Sequence, residues 1–362
     1  MGNNVALAGI IGQRETAIIG AVVDEITVKP AEQYFLSLLP PVSRPEHLVY
    51  HEKVSGFGGL IAERTLGEEG KNGDASSSEV FEYSPGAYQE SVRFGERDLI
   101  TLRRLGSIGE RGATGVTKGA LDFLTRAGQN LEVKLNNRLN QLACDAMFSG
   151  TYQYRGQTKF DFAKPAGNTV QTATDWSNAD TSTPFKDLYT IFSLNSTYYK
   201  YIVKELVVNP ITAAAMLMSK EAQVVITNNA NAVGDINKIR EILYPLLPPI
   251  KVVKDAYQDQ STVGGKIVNG AAKYFQPDYK ILAVVDMGGT LYGQYGEIQM
   301  TYNLNDPTAT IERPAIGVYT FLDEEGLRNK KAPWVDVTAG FNGGPNLMRS
   351  NDVLVINTKA GI

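Results

Sequence analysis

The sequence predicts an α+β fold organised round one very long helix, and three observations predict it. Residues 50–105 form a glycine-punctuated, strand-like excursion. Residues 115–149 carry one unbroken amphipathic period. The remainder alternates short helices with short apolar strands. With 362 residues, 43% hydrophobic and 20% charged, the chain has the composition of an ordinary packed body of two or three lobes.

Residues 1–49 read as an extended arm. Thr16 to Ile26 is apolar on one side and predicts a short helix; Tyr34-Phe35-Leu36-Ser37-Leu38-Leu39 follows and is closed by Pro40-Pro41. Such a segment has no core of its own, so it is expected to pack across a larger body. In the excursion, Leu60 to Leu66 is the outward strand, Gly67 to Ser78 a tip rich in turn residues, and Glu79 to Glu96 the return, broken at Ser84-Pro85-Gly86. A compact chain of this size has a radius of gyration of about 21 Å. Two arms of roughly 20 residues at about 3.3 Å each reach about 65 Å. The excursion is therefore expected to rest on something other than its own domain, as in proteins that make lattice contacts.

The helix over 115–149 is predicted from Leu124, Ala127, Leu131, Leu135, Leu139, Leu142 and Ala146, which recur at three- and four-residue steps. Asp122 and Arg126 are an i,i+4 surface pair. Thr117 is the expected N-cap and Gly150 the stop. At 1.5 Å per residue the rod is roughly 50 Å long, enough to carry several lobes. Residues 151–184 are polar and turn-rich and read as a linker or surface excursion. Beyond them the pattern predicts a helix over Phe185 to Tyr201, a strand over Lys204 to Val208 and a helix from Asn209-Pro210 through Met218, with Asn as cap and Pro at the first position. A helix over Asp235 to Tyr244 and strands at Ile250 to Val253 and Ile281 to Val285 come next. Alternation from Gln294 (Ile298, Met300, Tyr302) and the run Val353 to Ile356 predict strands in the tail.

Composition restricts function. The formal net charge is -4, which argues against a protein that coats nucleic acid but suits a container whose wall must not grip its contents. Cys144 is the one cysteine and is expected in the core. No apolar run approaches a membrane span, and the N-terminus lacks a signal-peptide pattern. With two histidines, His47 and His51, nucleophile–histidine catalysis has little material. Their i,i+4 spacing would need a helix to hold a metal, and the local pattern is strand-like. Asp286-Met287-Gly288-Gly289-Thr290 after an apolar strand is similar to the phosphate hairpin of actin-like and sugar kinases. It stands four-fifths along the chain with no companion motif, so a tight turn is the expected reading. No cofactor, metal or catalytic residue is expected.

Between Glu63 and Glu82 stand six acids (Glu63, Glu68, Glu69, Asp74, Glu79, Glu82) against Arg64 and Lys71. Arg328, Lys330 and Lys331, ahead of Trp334, are the complementary basic cluster. The expected intersubunit contact joins Glu63, Glu68, Glu69, Lys71 and Asp74 of one copy to Arg328, Lys330, Lys331 and Trp334 of another.

The order of parts resembles the major capsid proteins of tailed bacteriophages, the Hong Kong 97 fold. Trp334-Val335-Asp336-Val337-Thr338-Ala339-Gly340-Phe341-Asn342-Gly343-Gly344-Pro345, then Asn351-Asp352-Val353-Leu354-Val355-Ile356, looks like the closing segment of the capsid protein E branch. Phe35-Leu36-Ser37-Leu38-Leu39-Pro40 and Phe94-Gly95-Glu96-Arg97-Asp98-Leu99 look similar to its N-terminal half. The resemblance implies an N-terminal arm (1–49), an extended β-hairpin loop (50–105), a peripheral domain (106–204 and 291–362) with the spine helix at 115–149, and an axial domain (205–290). It implies a structural, non-enzymatic subunit that assembles with itself as pentamers and hexamers into an icosahedral head shell round double-stranded DNA, without sequence-specific binding or a membrane. The implied place is the virion, assembled in the bacterial host cytoplasm. The implied partners are a separate scaffolding protein, a portal and a decoration protein. The alternative is the shell of an encapsulin-like cellular nanocompartment. Some members crosslink a loop lysine to a neighbour's asparagine; Lys71 stands at the right end of the loop, but no motif identifies its partner, so crosslinking is not carried over.

Overall fold

The computed structural model describes residues 33–43, 48–54, 78–95, 113–194, 203–229, 234–263, 266–285, 297–301, 317–322, 334–350 and 353–359. In chain order these form α1 (Tyr34–Leu38), β1 (Pro41–Ser43), β2 (Val49–Val54), β3 (Ser78–Tyr83), β4 (Gly86–Gly95), α2 (Ala113–Ser149), β5 (Thr151–Tyr154), β6 (Gln157–Asp161) and β7 (Thr169–Gln171). Then come α3 (Pro184–Tyr189), which runs on as a π-turn over Thr190–Leu194, β8 (Val203–Val208), α4 (Pro210–Met218), α5 (Lys220–Asn228) and α6 (Ile236–Leu243). The chain ends with β9 (Ile250–Val252), β10 (Ala256–Val263), β11 (Lys266–Tyr274), β12 (Lys280–Val285), β13 (Glu297–Thr301), β14 (Gly317–Leu322), β15 (Trp334–Asn346) and β16 (Leu354–Asn357).

Helix α2 is the long element that the periodicity predicts. Leu131, Leu135, Leu139, Leu142 and Ala146 are all buried. From Leu142 to Phe148 burial spreads round the rod, adding Ala143, Cys144 and Met147, because packed elements surround this half. The helix begins at Ala113, one turn ahead of Thr117, so Thr117 is helical and not the cap. It stops at Gly150, whose φ of +70° suits glycine and whose N–H donates to the Ala146 carbonyl at 3.0 Å.

The first sheet is built on the thirteen-residue β15. Strand β4 pairs along one edge of it, from Gly86↔Gly343 to Gly95↔Trp334. On the other edge β14 pairs with residues 335–340 and β13 with residues 342–346; β1 adds in parallel to β13. The return arm of the excursion is thus divided. Its second half, β4, belongs to the body's sheet, and its first half, β3, pairs antiparallel with β2 from Val49↔Tyr83 to Val54↔Ser78. The stretch from Val49 to Tyr83 that can project is about 17 residues a side, or about 56 Å fully extended. The expected strand over Leu60 to Leu66 and the helix over Thr16 to Ile26 lie outside the described residues.

The second sheet has the order β7-β16-β12-β8-β9. Its residues alternate between two cores with period two. Val207, Leu282, Val284 and Val355 face the core round α2. Leu206, Val208, Ile281, Ala283, Leu354 and Ile356 face a second core under α3–α6. Burial on both faces explains why Ile281 to Val285 reads as an uninterrupted apolar run.

Helix α4 starts as the sequence predicts: Asn209 Oδ1 accepts from the Thr212 N–H at 2.8 Å, with Pro210 at the first position. Asp235 caps α6, accepting from the Asn237 and Lys238 N–H groups. The segment 151–184 corrects the linker expectation. It contains the β5–β6 hairpin, and Tyr152, Phe162 and Trp176 are each about 1% exposed. Three aromatics anchor it, although its mean composition is polar. Asp187 secures the turn, its Oδ2 accepting from Trp176 Nε1–H at 3.0 Å and Thr174 Oγ1–H at 2.6 Å. The predicted helix from Phe185 is described only to Leu194.

The arm's second apolar patch docks as expected. Phe35, Leu36 and Leu39 are fully buried in the core round α2. The Leu36 N–H donates to Asn140 Oδ1 at 2.9 Å, and the Tyr34 N–H donates to Asp255 Oδ2 at 2.7 Å.

Candidate interaction surface

Two structures flank β4. At its start lies a cluster of phenols. Tyr83, the last residue of β3, donates its hydroxyl to the Pro345 carbonyl and stacks on Phe160, centroids 4.8 Å apart. Tyr152 accepts from the Gly86 N–H at 2.8 Å and lies 3.1 Å from the Tyr88 hydroxyl. Burial, then the neighbouring Tyr152, pushes the Tyr83 and Tyr88 phenols up from their usual range, so they remain protonated and pin the strand. Gly344 makes room for this joint: a Cβ there would stand 2.5 Å from the Tyr83 hydroxyl. Gly344, in the run Gly343-Gly344-Pro345, thereby has a packing reason.

Along β4 runs a groove of about 1340 Å³ between that strand and α2, lined also by residues 153–155 of the β5–β6 hairpin and 257–259 of β10. Helix and strand meet through two side-chain contacts, Lys134 paired to Glu90 and the Arg138 guanidinium over the Tyr88 ring at 5.1 Å. Arg155 lies over the Tyr154 ring at 5.2 Å, and Tyr154 meets Tyr88 edge to face at 5.4 Å. The result is a stacked row, Arg138–Tyr88–Tyr154–Arg155. Among the described residues four bases line the groove (Arg126, Lys134, Arg138, Arg155) against two acids, Glu90 and Asp259. Both acids are engaged, Glu90 with Lys134 and Asp259 with Lys273 at 2.6 Å. Arg138 and Arg155 have no acid within ion-pair distance among the described residues.

Of the residues expected at the intersubunit contact, Glu63, Glu68, Glu69, Lys71, Asp74, Arg328, Lys330 and Lys331 lie outside the described residues. So do Asp286 to Thr290 and His47. Trp334 opens β15, its Cα partner being Gly95 at the far end of β4. His51 stands in strand β2, as its local pattern predicts. The arginine–tyrosine row was not anticipated. Its signal was there in part: Arg126, Lys134 and Arg138 share one helix face at steps of eight and four, but Tyr88 and Arg155 join them only through the fold.

Among the described residues no three His, Cys, Asp or Glu side chains cluster as a metal site, and no helix is long and apolar enough to cross a membrane. Cys144 is buried, its thiol pushed up by that burial, and its Sγ–H donates to the Phe275 carbonyl at 3.2 Å; it is a core residue, as expected.

Neither a protein-family model nor a curated protein matches the sequence. Solved structures do match the fold. A protein from Escherichia coli CFT073, provisionally assigned as a prophage capsid protein, aligns with a TM-score of 0.56 at 12% identity, covering 94% of this chain and 98% of that one. A phage-related protein from Bordetella bronchiseptica RB50 aligns with a TM-score of 0.51 at 11% identity, covering 94% and 96%. The SrpI encapsulin of Synechococcus elongatus PCC 7942 aligns at 0.40 and 13% identity, covering 92% and 89%, too distant to bear on the argument. The class is therefore settled at the level of fold: a mixed helix-and-sheet chain of the Hong Kong 97 type. It is similar over nearly its whole length to the Escherichia coli prophage protein.

Proposed function

We propose that this chain is a structural subunit that self-assembles into the icosahedral head shell of a tailed phage and encloses its double-stranded DNA. The observation that carries the reading is the end-to-end fold match to the prophage protein, 94% of one chain against 98% of the other. The order of parts in the sequence supports it independently. On this reading residues 1–49 are the arm, 50–105 the extended loop, 106–204 with 291–362 the peripheral domain and 205–290 the axial domain. The axial core also draws Trp176, Phe185, Leu354 and Ile356 from outside that last range. The chain works by geometry and carries no enzymatic chemistry. It forms pentamers and hexamers in the host cytoplasm, with a scaffolding protein, a portal and a decoration protein as separate partners. The contact between Glu63, Glu68, Glu69, Lys71 and Asp74 of one copy and Arg328, Lys330, Lys331 and Trp334 of another belongs to the same proposal.

The test is sedimentation of the overexpressed chain, alone and with its neighbouring genes, followed by nuclease treatment and analysis of the contents. Large particles holding protected DNA support the phage shell. Particles holding one cargo enzyme establish the alternative, an encapsulin-like nanocompartment. A chain that never leaves the monomer fraction contradicts both.

A further inference from the structure

At one end of the second sheet three lysines gather without an acid partner. Lys280 opens β12, opposite Asn357 in the β12–β16 ladder. Lys359 lies two residues beyond the end of β16, its ammonium 5.3 Å from the centre of the Tyr279 ring. Lys164 comes from the segment between β6 and β7. Its stem is pressed on the end of α2, where a Cβ on Gly150 would stand 2.8 Å from Lys164 Cβ. Its amine is covered and has no hydrogen-bond partner among the described residues. Burial, then the charge of Lys280, lowers that amine to about 8, so the two cations act on each other. None of the three forms an ion pair among the described residues. The carboxylates on the flanking turns are engaged elsewhere: Asp161 Oδ1 accepts from the Ala163 N–H at 2.8 Å, and Asp278 Oδ1 from Asn209 Nδ2 at 2.6 Å.

The backbone is strained to hold this arrangement. Ala163 and Tyr279, the residues just before Lys164 and Lys280, have φ of +49° and +58°, a region that residues with side chains avoid. Tyr279 is fixed there by three hydrogen bonds. Its N–H donates to Thr212 Oγ1 at 2.9 Å, and its carbonyl accepts from the Thr358 N–H at 2.8 Å and the Thr358 hydroxyl at 2.9 Å. Such residues persist where their surroundings over-determine them, and they gather at ligand sites.

We propose that half-buried Lys280 and Lys359, backed by the covered charge of Lys164, form a site for phosphate groups, carried on a nucleic-acid backbone or free in solution. The site goes beyond the shell reading and does not depend on particles forming. Phosphate suits it better than carboxylate. Ammonium groups are point charges and lack the planar fork with which arginine matches a carboxylate. A phosphate presents charge on several oxygens to amines drawn from three parts of the chain. Because the whole chain carries a net charge of -4, the grip is local. At most about three phosphates are neutralised, which gives a slope of log affinity against log salt no steeper than about -3.

The experiment uses the full-length chain at pH 7 in a buffer free of phosphate. Two probes separate the sources: a short fluorescent DNA duplex followed by anisotropy, and inorganic phosphate followed by melting temperature against sodium chloride of equal ionic strength. A saturable response to at least one probe is expected, about tenfold weaker in the Lys280→Gln, Lys359→Gln chain. A response to the duplex alone assigns the site to the nucleic-acid backbone, and a response to phosphate alone assigns it to the free ion; either supports the proposal. Lys164→Met is expected to weaken binding while raising the melting temperature, a combination that a purely structural lysine would not give. Should the double variant misfold by circular dichroism, Lys164→Met carries the comparison. Unchanged affinity in the folded variants, a salt slope well beyond -3, or no response of the wild-type chain to either probe overturns the proposal.

Discussion

The two cores of this molecule are assembled in opposite ways. The core under α3–α6 takes nearly all its residues from one stretch, Val170 to Ile281 and Ala283, with only Leu354 and Ile356 arriving from the tail. The core round α2 gathers Phe35 and Leu36 from the arm, Tyr83 from the loop base, the spine itself, Phe275 from the end of β11 and Phe341 from β15. Yet both press on the same sheet, β7-β16-β12-β8-β9, from opposite faces. The contiguous core needs little loop closure to form, and the dispersed one much more. Sharing a sheet couples them, so the difference in assembly does not translate into two independent domains.

The largest expected effect is from Leu139→Asp. This residue is fully buried at the centre of the dispersed core, and an unpaired buried carboxylate costs a large part of the roughly 5–15 kcal/mol that holds a domain together. Leu131→Asp and Leu135→Asp are expected to act alike. Because the sheet is shared, Trp176 fluorescence, read in a Trp334→Phe background so that it reports the other core, should lose its native signal in the same variant. Native Trp176 emission in a chain whose spine helix has melted would divide the molecule into two folding units.

Asp187→Ala tests the contiguous core. It leaves the Trp176 indole N–H and two Thr174 donors without their acceptor, at a cost of about 1–3 kcal/mol for a buried unsatisfied group. Urea unfolding should show the midpoint falling with far-ultraviolet dichroism and fluorescence still coincident. Tyr83→Phe is smaller, about 1 kcal/mol for one hydrogen bond, and sharpens the account of the loop base. Stability should change little, while proteolysis between Val54 and Ser78 should accelerate as the joint to Pro345 loosens. Unchanged proteolysis would mean that stacking on Phe160 alone holds β3.

The smallest effect depends on pH. Burial, then the neighbouring Lys280, lowers the Lys164 amine to about 8. In the unfolded chain it titrates near 10.4. Between these values the unfolded state binds more protons, so stability should rise with pH from about 8 to about 10. Lys164→Met should remove that rise and raise the melting temperature at pH 7. A variant that melts below wild type at pH 7 would show that the amine is satisfied in the folded chain.

The elements that sequence reveals here are the ones with a local cause. The leucine stripe of α2, the Asn209-Pro210 start of α4, the Asp235 cap and the double-sided run at Ile281 to Val285 each follow from neighbouring residues. What escaped depends on distant partners. The stretch 151–184 resembled a linker because its aromatics are isolated among polar residues, and their burial is decided by Asp187, Phe160 and the tail strand. The division of the return arm between β3 and β4 depends on β15, some 250 residues away. Of the surface, only Arg126 is singled out by the sequence, as the partner of Asp122; the arginine–tyrosine row needs Tyr88 from β4 and Arg155 from the β5–β6 turn. The expected contact at Arg328, Lys330 and Lys331 lies outside the described residues and remains a proposal.

Negative-stain microscopy of the chain purified from cells that also express its genomic neighbours tests the central claim most directly. Closed, uniform, icosahedral shells built from this chain are the result expected of the proposed shell subunit. A homogeneous monomer that binds Mg-ATP at micromolar concentration, with binding abolished by Asp286→Ala, would contradict the account.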